Sequence, residues 1–435
     1  MYYEGENMGY ESFVDVKYKP AKDDVICRFY VEPRYGVPFE RAAGGIAAES
    51  SVGTWTDVTT EKHYVKKYAA HVFNLDPKSG IVDIAYPMDG FEPSNIPQIM
   101  SSVAGNIFGM KEVNNLRFLD FRFPKKLIKS FPGPMFGVPG VRKLLKVKTR
   151  PLLGTIIKPK MGLNPRDHAQ VAYQAWAGGC DIVKDDENLT NQKFNSFYKR
   201  IPLTLKARDK AEKETSEKKI YMPNITAPFE EMIKRAEFVK EHGGEYAMVD
   251  IITVGWSALQ ELRNYDKKLK LVLHEHRAGH AAFTRNPKHG ISMLVVAKLS
   301  RTIGFDQLHA GTIVGKMEGG KEEVIDIVDA LTKDVTPEEG QSGLTLGQDW
   351  YGTKPVFPVA SGGLHPGHVP EIYKYFGNDV VIQMGGGIHW NPRGTYYGAM
   401  GARQAIDAIV SGISLKEYAK THKELQEAID RFGVA

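Results

Sequence analysis

A lysine followed at once by three carboxylates, Lys184-Asp-Asp-Glu187, closes a short apolar run, Ile182-Val183, that Gly178 and Gly179 open. Along a β-strand successive side chains alternate faces, so Lys184 and Asp186 point one way and Asp185 the other. Glu187 lies one residue further on, where the strand gives way to a loop and the backbone can turn its carboxylate inward. One amine and two carboxylates then surround a single point at the carboxyl end of a strand. A charge run is usually a solvated face, and a salt-bridged strand end is the plain alternative. The glycines, the apolar approach and the other strand ends decide against it.

Those other ends carry chemistry too. Lys158 and Lys160 follow the apolar run 152–157, and His274, His276 and Arg277 end another. His309 leads into a flexible loop bearing Lys316, and two further strands end in Ser361-Gly-Gly363 and Gly385-Gly-Gly387. A lone histidine is usually structural and a glycine pair is usually a turn, but six such ends coincide. Glycine lets backbone N–H groups approach an anion closely, so the two glycine ends read as phosphate cradles. Arg277 and His309 could bind a second anion, which makes a small molecule with two phosphates the expected substrate.

The elements that must position these groups are eight apolar runs: 152–157, 181–184, 220–226, 246–252, 269–274, 305–309, 356–360 and 380–384. Most lack alternation, as parallel strands buried on both faces do. Helical stretches such as 229–241 and 293–303 separate them, so an α/β fold with a (β/α)8 barrel is expected, its chemistry at one mouth. A doubly wound open sheet is the alternative, with no dinucleotide fingerprint to favour it. Residues 1–137 read as an α+β domain. Its strands fall at 14–18, 24–31, 71–75, 81–86 and 116–123, and its helices at 38–50 and 96–104. The Pro- and Gly-rich cluster 131–140 marks the boundary, and 138–435 forms the barrel, ending in a helix over 415–432.

With 435 residues, 42% hydrophobic and 25% charged, the composition is that of a globular protein. No run is long enough to span a bilayer, and the polar amino terminus is unlike a signal peptide, so a cytoplasmic protein with no membrane partner is expected. Cys27 and Cys180 are too few for a disulfide framework or a cysteine metal site. The basic run Arg142 to Arg150 lacks interleaved aromatics, so no nucleic-acid partner is expected; the net charge of +5 suits an enzyme of phosphorylated anions.

The stretches 178–188, 154–163, 274–280, 309–316 and 361–365, with 47–55 and 105–109 earlier, resemble the large subunit of ribulose-1,5-bisphosphate carboxylase/oxygenase, Rubisco. The match runs in order over nearly the whole chain, and 280–289 most resembles the archaeal form III enzymes. The resemblance implies carboxylation of ribulose 1,5-bisphosphate to two 3-phosphoglycerates, with competing oxygenation by O2. It further implies that Lys184 reacts with CO2 to give a carbamate, which with Asp186 and Glu187 holds Mg2+. The residue types fit that role: a lysine near its ordinary pKa of about 10.4 would repel a cation, whereas carbamylation replaces +1 by −1.

By the same resemblance the Lys184 carbamate helps remove the C3 proton, Lys158 donates and accepts protons, and His276 is a base in hydration and cleavage. Lys316 closes over the site, and Lys160 supports Lys158. Arg277, His309 and Ser361 hold one phosphate end with neighbouring hydroxyls. Thr54, Trp55, Gly363, Gly385 and Gly386 hold the other, with Gly362 and Gln383 in the same binding set. Glu49 and Asn106 reach in from a neighbouring subunit, so a homodimer is the minimal unit, with higher assemblies of dimers open. Ile156 stands where plant enzymes have threonine, with Thr155 one place earlier; Trp390 follows the last glycines; and no carboxyl-terminal latch like that of the plant enzymes is expected. Looser closure, poorer discrimination against oxygen and a role in nucleotide-sugar salvage are the corresponding expectations. The competing reading is a Rubisco-like enolase or isomerase of another phosphosugar, against which the full set of strand-end residues stands. A non-enzymatic phosphate- or nucleic-acid-binding protein is the third.

Overall fold

The computed structural model describes residues 9–54, 58–314 and 320–434. The chain groups into two compact units. One comprises Met1–Pro132, His280–Thr302 and Lys333–Gly352; the other comprises Gly133–Gly279, Ile303–Thr332 and Thr353–Ala435. Segments from within the carboxyl-terminal stretch thus group with the amino-terminal unit.

The first unit is built on a mixed five-stranded sheet. Strands Val113–Arg122, Val25–Pro33, Ile81–Tyr86 and His71–Asp76 lie side by side and antiparallel, and Gly290–Ile291 adds in parallel to Val113–Arg122. Helices Phe39–Glu49 and Ile96–Val103 form where small or amphipathic residues run, the second capped by Asn95, whose side chain accepts from the Gln98 N–H. Within this unit the Lys298 ammonium is buried against Asp120 at 2.7 Å and also donates to the Phe121 and Leu346 carbonyls. The expected strand at 14–18 does not form. Only Val14 bridges, to Val72, because the segment turns through a hydrogen bond from Tyr18 N–H to Asp15 O.

The second unit is a barrel of eight parallel strands: β1 (Leu152–Ile156), β2 (Ile182–Lys184), β3 (Ile220–Met222), β4 (Tyr246–Asp250), β5 (Val272–His276), β6 (Gln307–Gly311), β7 (Phe357–Ser361) and β8 (Val381–Met384). Each pairs with its sequence neighbour, β8 returns to β1, and a parallel bridge from Asn224 to Met248 closes β3 onto β4. All eight expected runs form strands, several shorter than expected: 223–226 is loop and 251–252 already begins the helix Ile251–Leu269.

One end of the barrel is plugged. Helix Gly137–Leu145 carries Val138, Val141 and Leu145 on one face, and these join Leu152, Ile182, Ile220, Tyr246, Val272, Phe357 and Val381 in a buried cluster. These strand residues lie at or near the amino ends, so alternation dictates what stands above them inside the barrel. Two residues on come Gly154, Lys184, Met222, Met248, His274, Val359 and Gln383; two further come Ile156, Asp186, Asn224, Asp250, His276, Ser361 and Gly385. The interior passes from apolar to polar toward the carboxyl ends. The terminal helix expected over 415–432 is broken into Leu415–Ala419 and Lys423–Phe432, with a turn at 420–422. Among the described residues no helix is long and apolar enough to cross a membrane.

Candidate active site

The site is assembled at the open, polar end of the barrel. Lys184 is wholly buried, and its Nζ lies 2.7 Å from the Asp185 carbonyl and 3.6 Å from Glu187 Oε2. Burial pushes the amine below the ordinary lysine range, only partly opposed by Glu187, Asp186 and Asp250. For Glu187 burial works the other way, but Lys184 and His276 outweigh it and hold the carboxyl below its usual range. Asp186 is likewise held low: hydrogen bonds from Lys158 Nζ, at 2.7 Å, and from Asn188 overcome its burial.

His276 stands across this group. Its Nδ1 is 3.0 Å from Asp250 Oδ1, and its Nε2 is 3.6 Å from Glu187 Oε2. Its ring meets that of His309 at 4.6 Å, and His309 meets His274 at 4.8 Å. His309 Nδ1 pairs with Ser361 Oγ at 2.6 Å while its Nε2 has no partner. Burial, then the neighbouring His276 and His274, keep His309 well below the usual imidazole value, so it is neutral at pH 7. Arg277 is pushed down to about 10 by burial and makes no hydrogen bond among the described residues. Gly311, at φ 101°, makes room for it: a Cβ there would stand 3.0 Å from the guanidinium. A desolvated guanidinium without a hydrogen-bond acceptor is a ready anion receptor.

The remaining residues fall as follows. Lys160 lies exposed in the loop after β1 and forms no ion pair among the described residues. Gly362 and Gly363 both take positive φ, 119° and 71°, a turn that other residues rarely adopt. Gly385 lies beside Lys158, and the glycine stretch read as a phosphate cradle winds into a short helix, Gly386–His389. Gln383 is buried with both amide atoms unpartnered. In the other unit Glu49 ends its helix and accepts from Tyr10 Oη at 3.3 Å, and Asn106 opens a 3-10 turn. Thr54 is the last residue before an undescribed gap; Trp55 and Lys316 lie outside the described residues. The Thr155 hydroxyl is committed to the Met384 carbonyl at 2.6 Å, so it does not replace a hydroxyl at Ile156.

Two site residues escaped the sequence reading: Asp250, which orients His276, and Asn224, whose amide donates to the Glu187 carbonyl at 3.0 Å. Both stand at the carboxyl ends of β4 and β3, so the signal that found the other six ends would have found them. The basic run is structural. Arg142 pairs with Asp379 at 2.6 Å, and Arg150 grips Asp181 with two bonds.

Among the described residues no three His, Cys, Asp or Glu side chains are grouped to hold a metal ion. Asp186 and Glu187 are two hard oxygen donors, with the Lys184 amine and His276 Nε2 each 3.6 Å from Glu187; conversion of the Lys184 nitrogen to an anionic group would add a third anionic donor for a hard cation.

The family described as ribulose bisphosphate carboxylase large chain matches twice, by its N-terminal domain over residues 12–127 and its catalytic domain over residues 137–432. The ribulose bisphosphate carboxylase of Methanosarcina mazei is 53% identical over 422 residues, covering 97% of this chain and 98% of its own. That of Methanocaldococcus jannaschii is 49% identical over 426 residues, covering 96% and 99%. Among solved structures, an octameric Rubisco from Pyrococcus horikoshii in complex with sulfate superposes with a TM-score of 0.93 at 47% identity, covering 100% of this chain and 99% of that one. A dimeric archaeal Rubisco from Hyperthermus butylicus gives 0.92 at 46%, covering 98% and 100%. With its barrel, its lysine–carboxylate strand end and these relatives in agreement over nearly their whole length, the chain belongs to the ribulose bisphosphate carboxylase large-chain family.

Proposed function

We propose that the protein carboxylates ribulose 1,5-bisphosphate with CO2 to give two molecules of 3-phosphoglycerate, with competing oxygenation. The observation that carries this is a fully buried, destabilised ammonium, Lys184, 3.6 Å from Glu187 at the mouth of a barrel. A depressed lysine is a nucleophile for CO2: its neutral nitrogen bonds to carbon, a proton leaves, and an anionic carbamate results. Lys184 so modified, Asp186 and Glu187 would hold Mg2+. When bound, that ion would supply Lewis-acid polarisation of the sugar's oxygens.

The chain's own groups account for the rest. Lys158 Nζ, half-buried and tethered to Asp186, is placed to give a proton to a product carbanion. His276 is fixed through Nδ1 by Asp250, which leaves Nε2, 3.6 Å from Glu187, to act as the base for the hydration water. Arg277, His309 and Ser361 form one anion-binding group, and Gly362, Gly363, Gly385 and Gly386 offer backbone N–H groups for the other phosphate. Lys160 adds positive potential, and Gln383 an amide to the sugar. Lys316, Thr54 and Trp55 complete the site by family likeness, with Glu49 and Asn106 of the partner subunit.

The protein comprises an amino-terminal domain over 1–137 and a catalytic barrel over 138–435, and works as a homodimer able to assemble further. It is a cytoplasmic enzyme of the archaeal form III group. Incubation with Mg2+ and labelled bicarbonate, followed by ribulose 1,5-bisphosphate, should yield labelled 3-phosphoglycerate. Assembled protein that forms none across a range of temperatures would reject the reading.

A further inference from the structure

The carboxyl-terminal helix Lys423–Phe432 carries none of the groups above, yet its last turn meets the residues that follow both glycine stretches. The Phe432 ring stacks on His365, centroids 4.8 Å apart and planes 13° from parallel, and it takes Trp390 edge-on at 5.0 Å. His365 directly follows the loop after β7, and Trp390 caps the short helix after β8. The Trp390 indole N–H donates to the Gly387 carbonyl at 3.1 Å. Gly387 lies against the other loop, where a Cβ would stand 2.2 Å from the Leu364 oxygen and 2.8 Å from His365 Cα. The contacts therefore close a circuit: His365, Phe432, Trp390, Gly387, and back to His365.

The helix that carries the wedge is itself held. Arg393 pairs with Glu424 at 3.0 Å and Glu427 at 2.8 Å, Asn391 donates to Glu427, and Leu425 and Ala428 are buried. Burial and the adjacent His368 lower His365 to about 4, and burial lowers His368, so the stack is uncharged at neutral pH. The glycine loop after β7 and the first turn of the helix Gly386–His389 can aim N–H groups at one phosphate together only if something fixes their separation.

We infer that Phe432, wedged between His365 and Trp390, is a positioning residue that sets the spacing of the two glycine loops and so the affinity for one phosphate of the substrate. The inference rests on the proposed function in taking these loops as a phosphate site. It is tested on the full chain by two measurements, steady-state carboxylation and calorimetric binding of inorganic phosphate, on wild type, Phe432→Ala, Phe432→Leu and Phe432→Tyr. The alanine variant should raise both KM for the bisphosphate and Kd for phosphate about tenfold, with a much smaller change in kcat. Leucine, which keeps bulk without a ring face, should resemble alanine, and tyrosine should restore both constants. Unchanged KM and phosphate Kd in folded Phe432→Ala protein would overturn the inference, as would leucine restoring them as well as tyrosine does. Should the alanine variant fail to fold, Trp390→Phe keeps a ring but removes the bond to Gly387. It should raise both constants about threefold, and no rise overturns the inference. A wild type that binds phosphate but makes no 3-phosphoglycerate defeats the functional reading, while the phosphate constants still decide the role of Phe432.

Discussion

Two charge clusters share the end of β2, one on each face of the strand. On the outer face Asp185 is fully buried and saturated: Oδ1 accepts from Tyr221 Oη at 2.7 Å, and Oδ2 from Arg200 and the Asn224 N–H, each at 3.0 Å. Arg200 spends its other N–H groups on the carbonyls of Asn195 and Thr190, and His168 Nε2 lies 3.1 Å from Asp185. On the inner face Lys184 and Glu187 stand 3.6 Å apart, His276 is as far from Glu187, and Gln383 and His309 keep unpartnered atoms. The same three-residue strand supports one cluster in which Asp185 and Arg200 are saturated and another whose charges keep open positions. The first fixes the backbone; the second leaves valences for a ligand. A saturated buried pair such as Asp185 with Arg200 anchors the backbone from which the open inner cluster projects.

The largest effect should come from the inner face. Lys184→Met should cut carboxylation about 10^4-fold or more, roughly 5.5 kcal/mol in the barrier. Stability should change little, because relief of the buried amine is offset by loss of its attraction for Glu187 and Asp186. A variant that keeps CO2-dependent activation would break the contrast. The outer face should answer the other way. Asp185→Ala strands the Arg200 charge and should cost about 3–5 kcal/mol in a denaturant titration. Asp185 is held below the usual carboxylate range: its burial is outweighed by Arg200 and His168. Its contribution is therefore present above the unfolded value of about 3.9 and lost as pH falls below it. Acid unfolding of Asp185→Asn should lose that steepness, and a wild-type acid profile in the variant would count against the network. Smaller still, Asn224→Ala removes the amide that links β3 to the Glu187 carbonyl. A loss of about 1–2 kcal/mol is expected, together with weaker Mg2+ binding by calorimetry in the presence of CO2. Unaltered metal affinity would show that the outer and inner faces are independent.

Much of this was legible residue by residue. Alternation alone separated Asp185 from Lys184 and Asp186, and the apolar approach Ile182-Val183 placed them on a buried strand. Helices 229–241 and 293–303 formed within their expected bounds. Val14–Tyr18 misled because its β-branched pattern is too short to outweigh a local turn, and the terminal helix broke where Thr421 and His422 bond back to Tyr418. Arg200 was invisible as a partner: it lies within helix Phe197–Thr215, where an arginine ordinarily reads as solvated.

The sequence by itself determined which side chains face the barrel axis, because a period of two is set by backbone geometry and needs no partner. It also determined the chemistry on offer at each strand end. Only the tertiary structure decided which of those charges would be satisfied. Ion pairs such as Asp185 with Arg200, and the circuit joining Phe432 to both glycine loops, depend on distances between elements that no local pattern encodes. The charge of Lys184 belongs to the same class, for it is burial by the whole barrel, and not its own sequence neighbours, that makes the ammonium unfavourable.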